Sequence, residues 1–154
     1  MPKVVEERWD LTSADTTAIT SSGRHDGVAS QWADIWEYQV PGGQAHILKP
    51  GHHFSVYIDD TVGGGTSEAT NGLSHLRIVI KDQSKQSRKV IFGPKMYDVC
   101  KDFSDIKKMA TLDVTSDFVV EERFWIIIEG KSDAAIDESD SYFQLNTIRV
   151  RSSI

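Results

Sequence analysis

From Trp32 onward the chain is written with a period of two. "FSVYID" sets Phe54, Val56 and Ile58 against Ser55, Tyr57 and Asp59, and "HLRIVIKD" sets Leu76, Ile78 and Ile80 against Arg77 and Lys81. Successive side chains of a strand point to opposite faces, so each run offers one face to a core and one to water. "WADIWEYQV" aligns Trp32, Trp36, Tyr38 and Val40 in the same way. Clusters of Gly, Pro, Asn, Asp and Ser separate the runs, as turns between strands require. "KVIF" and "MYDV" read as two short strands broken at Gly93-Pro94, and "ATLDV" as another. "VVEERFWIIIEG" reads as the longest, with Val120, Phe124, Ile126 and Ile128 on one face. "SYFQLNTIRVR" starts with Phe143 and Leu145 inward and then changes parity to Ile148 and Val150. A β-bulge near Asn146-Thr147 would reconcile the two halves. "FSDIKKMA" is the one helical candidate, with Ser104 as N-cap and Phe103, Ile106 and Met109 spaced by three.

About eight short antiparallel strands describe an all-β, two-sheet β-sandwich, most simply a single jelly roll, over residues 32–154. Its expected core is Phe54, Val56, Ile58, Leu76, Ile78, Ile80, Phe124, Ile126 and Ile128. Residues 1–31 differ, being rich in Ser, Thr, Asp and Gly without clear periodicity, and read as an irregular polar N-terminal arm. Val4, Val5, Trp9, Leu11 and Ile19 are the arm's scattered apolar residues, and the expectation is that they anchor it to neighbouring subunits during assembly.

With 154 residues, 26% charged and 39% hydrophobic, the chain has the composition of one globular domain. A net charge of −6 gives no basic face for nucleic acid. The lone Cys100 makes no internal disulfide. With no charged-then-apolar leader and no long apolar run, neither secretion by a signal peptide nor a membrane span is expected.

Three of the five histidines fall within "HILKPGHH". Pro50 presets φ for the first central position of a type II turn, and Gly51 supplies the positive φ of the second. The chain is expected to arch between sheets there. His52 and His53 are adjacent on the outgoing strand, so their rings point to opposite faces and cannot share one ion. The corner reading therefore outweighs the metal reading, and no metal or other cofactor is expected. "VGGGTSEATNG" lacks the Lys-Ser/Thr of a phosphate loop, and Glu121-Glu122 alternates across a strand. The acidic "SDAAIDESDS" has no calcium-loop spacing, although Asp137 and Asp140 keep calcium as a lesser option. No catalytic constellation survives, so the chain is not expected to be an enzyme. Tyr57, Arg77, Arg123 and Trp125 share the parity opposite to the apolar rows. On neighbouring strands they would form an aromatic and arginine surface for a protein partner or a glycan; packing beneath a loop is as good an account of them.

"LKPGHHFSVYI", "LRIVI", "RFWIIIEG" and "SYFQLNTIRVR" together resemble the galactose-binding-like jelly-roll superfamily, over roughly residues 46–151. The superfamily includes many carbohydrate-binding modules. Where those modules often carry an Asp-Asp or Asp-Asn pair, this chain has Leu145-Asn146-Thr147, a departure at the expected calcium or glycan site. A polar arm of this kind needs neighbouring subunits to order it, and single jelly rolls commonly build viral shells. The expectation is therefore a structural assembly protein, a minor capsid or decoration protein located in a virion assembled in the host cytoplasm. Its partners would be further copies of itself and a major capsid or other shell protein. A carbohydrate-binding module or receptor-binding virion protein is the alternative.

Overall fold

The computed structural model describes residues 4–18, 32–59, 73–96, 107–132 and 142–152. They form two antiparallel sheets facing each other across one core. The first contains β1 (Val4–Thr12), β4 (Gln44–Leu48), β5 (His53–Asp59), β8 (Lys107–Asp113), β9 (Phe118–Val120) and β11 (Tyr142–Ser152). The second has the order β2 (Thr17–Ala18), β3 (Ala33–Gln39), β10 (Trp125–Ser132), β6 (Leu73–Lys81), β7 (Arg88–Met96). The expected two-sheet sandwich is the fold.

Strand β11 organises the first sheet. β1 runs along one of its edges from Val4↔Ser152 to Thr12↔Gln144. β4 and β5 lie end to end along the other edge, pairing Ile47↔Ile148 and Phe54↔Leu145. β9 and β8 repeat this outside them, pairing Leu48↔Phe118 and His53↔Asp113. The sheet is thus four columns wide, and two adjacent columns are interrupted at one level by Lys49–His52 and by Val114–Asp117. The interruptions are joined, because Val114 N donates to His52 O at 2.9 Å. Within the first, His52 N donates to Lys49 O at 3.0 Å and Gly51 has φ +96°, the turn that Pro50-Gly51 implied. The expected arch between sheets does not occur: both flanking strands pair with β11.

The crossings between sheets lie elsewhere. Among the described residues one is Ser13–Thr16, between β1 and β2; two more are Val40–Gly43, between β3 and β4, and Glu121–Phe124, between β9 and β10. The last two stand side by side, with Val40 N donating to Phe124 O (2.9 Å) and Arg123 N to Val40 O (2.7 Å). "VVEERFWIIIEG" is therefore two strands in two sheets. Its alternation hides the break because Val120 and Ile126 both face the same core.

The N-terminal segment also differs from expectation. Residues 4–12 form a nine-residue strand and 17–18 pair with β3, so this part of the arm belongs to the sandwich. Leu11 is fully buried in the core, Trp9 packs against it, Val5 is half-buried, and Val4 is exposed. The inward row of β1 reads Val5, Glu7, Trp9, Leu11, and its glutamate disguises the alternation. Ile19 lies outside the described residues. Nor does β11 contain the expected bulge. Its register with β1 is unbroken, and the inward row continues as Thr147, Arg149 and Arg151, leaving Ile148 and Val150 on the outer face. Lys107–Ala110, part of the helical candidate, pair as strand β8 with Asp59–Val56, because cross-strand pairing overrides a local apolar spacing. β7 runs through Gly93-Pro94 because Gly93 adopts φ +115°. A Cβ there would sit 2.7 Å from the Leu76 carbonyl oxygen.

Of the expected core, Phe54, Val56, Leu76, Ile78, Ile80, Ile126 and Ile128 are buried in it, and Phe124 packs half-buried against it. The side chain of Ile58 lies outside the description. The centre is aromatic: Phe143 packs on Trp36 (ring centroids 5.1 Å apart) and on Phe54 (5.9 Å).

Candidate interaction surfaces

The outer face of the second sheet carries two of the four surface residues picked from sequence. β6 and β10 are neighbours in the register Lys81↔Trp125 and Arg77↔Glu129, so Arg77 and Trp125 share this face four residues apart. Glu129, 3% exposed, accepts from Arg77 Nη2 at 3.1 Å and from Arg88 Nη2 at 2.7 and 3.2 Å. Two guanidinium groups offset the desolvation of its charge. Arg77 Cζ lies 3.9 Å from the centroid of the Trp32 ring, and Lys131 Nζ approaches the same ring at 5.0 Å. Lys85 Nζ lies 4.0 Å over Trp125 and donates to Glu37 Oε1 at 3.0 Å, while Trp125 Nε1–H donates to the Gln83 carbonyl at 3.3 Å. Beneath these polar groups, Val79 and Ile127 pair and are fully buried outside the main core. Asp34 lies at this face's β3 side; burial, then a hydrogen bond with Glu37, pushes its carboxyl up to about 6. The face is a closed layer of ion pairs and cation–π contacts, with Lys85 on the Trp125 ring where a sugar would stack.

The other two residues are elsewhere. Tyr57 is on the outer face of the first sheet, stacked on Tyr142 with centroids 5.3 Å apart. Arg123 occupies the sheet crossing at φ +68°, over Gly42. No single surface unites all four.

A third feature, missed in the sequence, lies between the sheets. His46 is fully buried among Trp9, Tyr38 and Thr147. Thr147 Oγ1–H donates to the Trp9 carbonyl (3.1 Å), so it accepts from His46 Nδ1–H (3.0 Å). That leaves His46 Nε2 to accept from the Tyr38 hydroxyl (3.3 Å). The chain of donors is complete with a neutral imidazole. Burial first, then the charge of Arg149, depresses the His46 pKa to about 4. Burial raises that of Tyr38 to about 12. At the rim of this end, Glu7 accepts from Arg149 Nε (2.8 Å), Arg149 Nη2 and Arg151 Nε (3.0 Å), which hold its carboxyl below the usual range. Arg149 also lies over the Trp9 ring at 4.9 Å. The available signal was polar residues recurring every second position at 147, 149 and 151.

The interrupted columns open a cleft of about 420 Å³ on the outer face of the first sheet, lined by Arg8, Trp9, Asp10, Gly51, His52, His53, Asn146 and Thr147. His53 Nδ1 contacts Asp113 Oδ1 at 2.7 Å, whereas His52 Nδ1 accepts from Lys49 N at 3.1 Å. The two rings serve different partners, but His52 precedes β5 and both residues line this one cleft, so the strand parity expected to send them to opposite faces does not apply.

Among its described residues the chain forms two antiparallel sheets, of six and five strands, around one aromatic core. Superposed on solved structures, it matches VP17, a capsid protein of bacteriophage P23-77, at a TM-score of 0.53 and 8% identity, over 99% of this chain and 100% of that one. The fold is a jelly roll. The complex of VP16 and VP17, the two major capsid proteins of that phage, matches at a TM-score of 0.49 with 7% identity, over 97% of this chain and 100% of that one. A Clostridium thermocellum xylanase fragment (Xyn10B CBM22-1–GH10) matches at 0.28 and 13% identity, over 95% of this chain and 26% of that one. A score that low lends nothing to kinship with carbohydrate-binding modules. No family model and no curated protein sequence matches the chain. Among the described residues no helix is long and apolar enough to cross a membrane.

Proposed function

We propose that the chain is a structural protein of a virus particle, acting through protein–protein contacts in the shell. One observation carries the reading: the likeness to a phage capsid protein covers 99% of this chain and 100% of that one. A fold is shared by many functions, and the assignment rests on this likeness together with the absence of a surviving catalytic constellation in the sequence. The closed ion-pair layer on the second sheet suits a surface that packs against another protein. The finer form of the reading is a minor capsid or decoration protein that binds a major shell protein, and copies of itself, in the virion. The chain has no assigned catalytic role in this scheme.

Mass spectrometry of particles purified from the producing culture tests the proposal. The chain should be present at a fixed ratio to the shell protein, and a ratio well below one identifies the minor role. Particles that lack it would sink the reading. Glycan-array binding by a chain absent from particles supports the carbohydrate-binding alternative instead.

A further inference from the structure

We propose that the cleft at the Pro50-Gly51 corner is a carboxylate-binding site whose two donors are the Arg8 guanidinium and the Nε2–H of His52. The cleft exists because the chain leaves the sheet plane at Lys49–His52 while β1 and β11 continue beneath it. The lining has one carboxylate, Asp10, with one of its oxygens engaged, and the neighbouring acceptors are engaged as well. Asp10 Oδ1 accepts from Asn146 Nδ2 at 2.8 Å, Asn146 Oδ1 accepts from His53 N at 3.2 Å, and Asp113 Oδ1 is held by His53 at 2.7 Å.

The donors are not committed. His52 Nδ1 accepts the Lys49 N–H, so a neutral ring carries its proton on Nε2, the nitrogen left for a ligand. Arg8 is exposed on the same lining and forms no ion pair, hydrogen bond or ring contact among the described residues. The guanidinium fork matches a carboxylate in two-point geometry, and a partly enclosed cleft strengthens that contact relative to open water. Lys49 adds positive charge nearby. Partial burial, followed by the charges of Arg8, His53 and Lys49, depresses the His52 pKa. The ring therefore serves at neutral pH as an uncharged donor beside the cationic Arg8.

The ligand is defined by that chemistry: a single carboxylate, either free or borne by an acidic protein segment. The full ¹⁵N-labelled chain, titrated with sodium acetate at neutral pH against sodium chloride of equal ionic strength, provides the test. A second titration uses the peptide SDAAIDESDS, which is the chain's own acid-rich stretch at 132–141. Saturable shifts at Arg8, Gly51 and His52 that chloride does not produce support the site. Peptide binding about ten-fold or more tighter than acetate assigns the carboxylate to a protein segment, and equal affinities assign it to a free acid. Arg8→Gln should weaken binding at least about ten-fold, with Arg8→Lys retaining part of it. Absence of saturable shifts up to about 100 mM of either probe overturns the proposal, as does an unchanged affinity in folded Arg8→Gln. Presence or absence of the chain in particles is a separate result and does not bear on this site.

Discussion

The inner face of the first sheet has two ends that share strands and parity but not chemistry. At one end β11 contributes Phe143 and Leu145, packed with Leu11, Phe54 and Trp36 from β1, β5 and β3. At the other end the same row supplies Thr147, Arg149 and Arg151 to Trp9, His46, Tyr38 and Glu7. The apolar end gains by removing hydrocarbon from water and tolerates no void. The polar end holds only because each buried donor finds an acceptor, since one orphan inside costs more than the bond contributed. A sandwich can thus be closed by a hydrogen-bonded plug where the row approaches its rim.

The largest expected effect comes from β1, which contributes to both ends. Deleting residues 2–12 removes Leu11, Trp9, Glu7 and the partner of one whole β11 edge. The chain should lose cooperative unfolding by calorimetry; a truncated chain that still melts cooperatively as a soluble monomer would restore the arm reading. Phe143→Ala probes the apolar end alone and should cost about 3–5 kcal/mol in urea denaturation. A loss below about 1 kcal/mol would place Phe143 outside the packed centre.

The polar end should announce itself through pH. His46 has a folded pKa of about 4 against 6.5 unperturbed, so its contribution is complete above pH 6.5 and disappears as pH falls through about 4. The amount lost is about 3 kcal/mol. Asp34, on the second sheet, has the opposite sign: its carboxyl is raised from 3.8 to about 6, so its contribution is complete below pH 3.8 and lost as pH rises through about 6. Between pH 4 and 6 the two oppose each other. Stability measured across this window should fall more steeply toward acid in Asp34→Asn than in the parent chain, and less steeply in His46→Gln. Identical slopes in all three chains would remove His46 from a buried neutral state.

Thr147→Val cuts the plug without changing its shape. It strands the His46 Nδ1–H and should cost about 1–3 kcal/mol, whereas the same measurement giving no loss would mean that water or another acceptor replaces the hydroxyl. The smallest effect belongs to the exposed His53–Asp113 pair on the outer face. A double-mutant cycle should return a coupling of about 0.5 kcal/mol or less. A coupling above about 2 kcal/mol would show that the corner is far less solvated than the plug comparison assumes.

The sequence by itself determined the class of fold, most of the central core and the corner turn. Alternation at 54–58 and 76–80 is a local consequence of strand geometry, and Pro50-Gly51 states its own dihedral angles. Three things were decided only in three dimensions. A row facing a core looks the same whichever sheet carries it, so the crossing at Glu121–Phe124 left no mark in the pattern. A polar residue in an inward row, such as Glu7 or Thr147, is indistinguishable along the chain from one facing water, because its partners come from distant strands: Arg149 for Glu7, His46 for Thr147. Of the four surface residues, Arg77, Trp125 and Tyr57 lie on outward strand faces while Arg123 lies off any strand, and neighbourhood depends on strand order. That order put Arg77 and Trp125 on one face, Tyr57 on the other sheet and Arg123 at a crossing. Parity is a property of a segment, whereas partnership is a property of the packed whole.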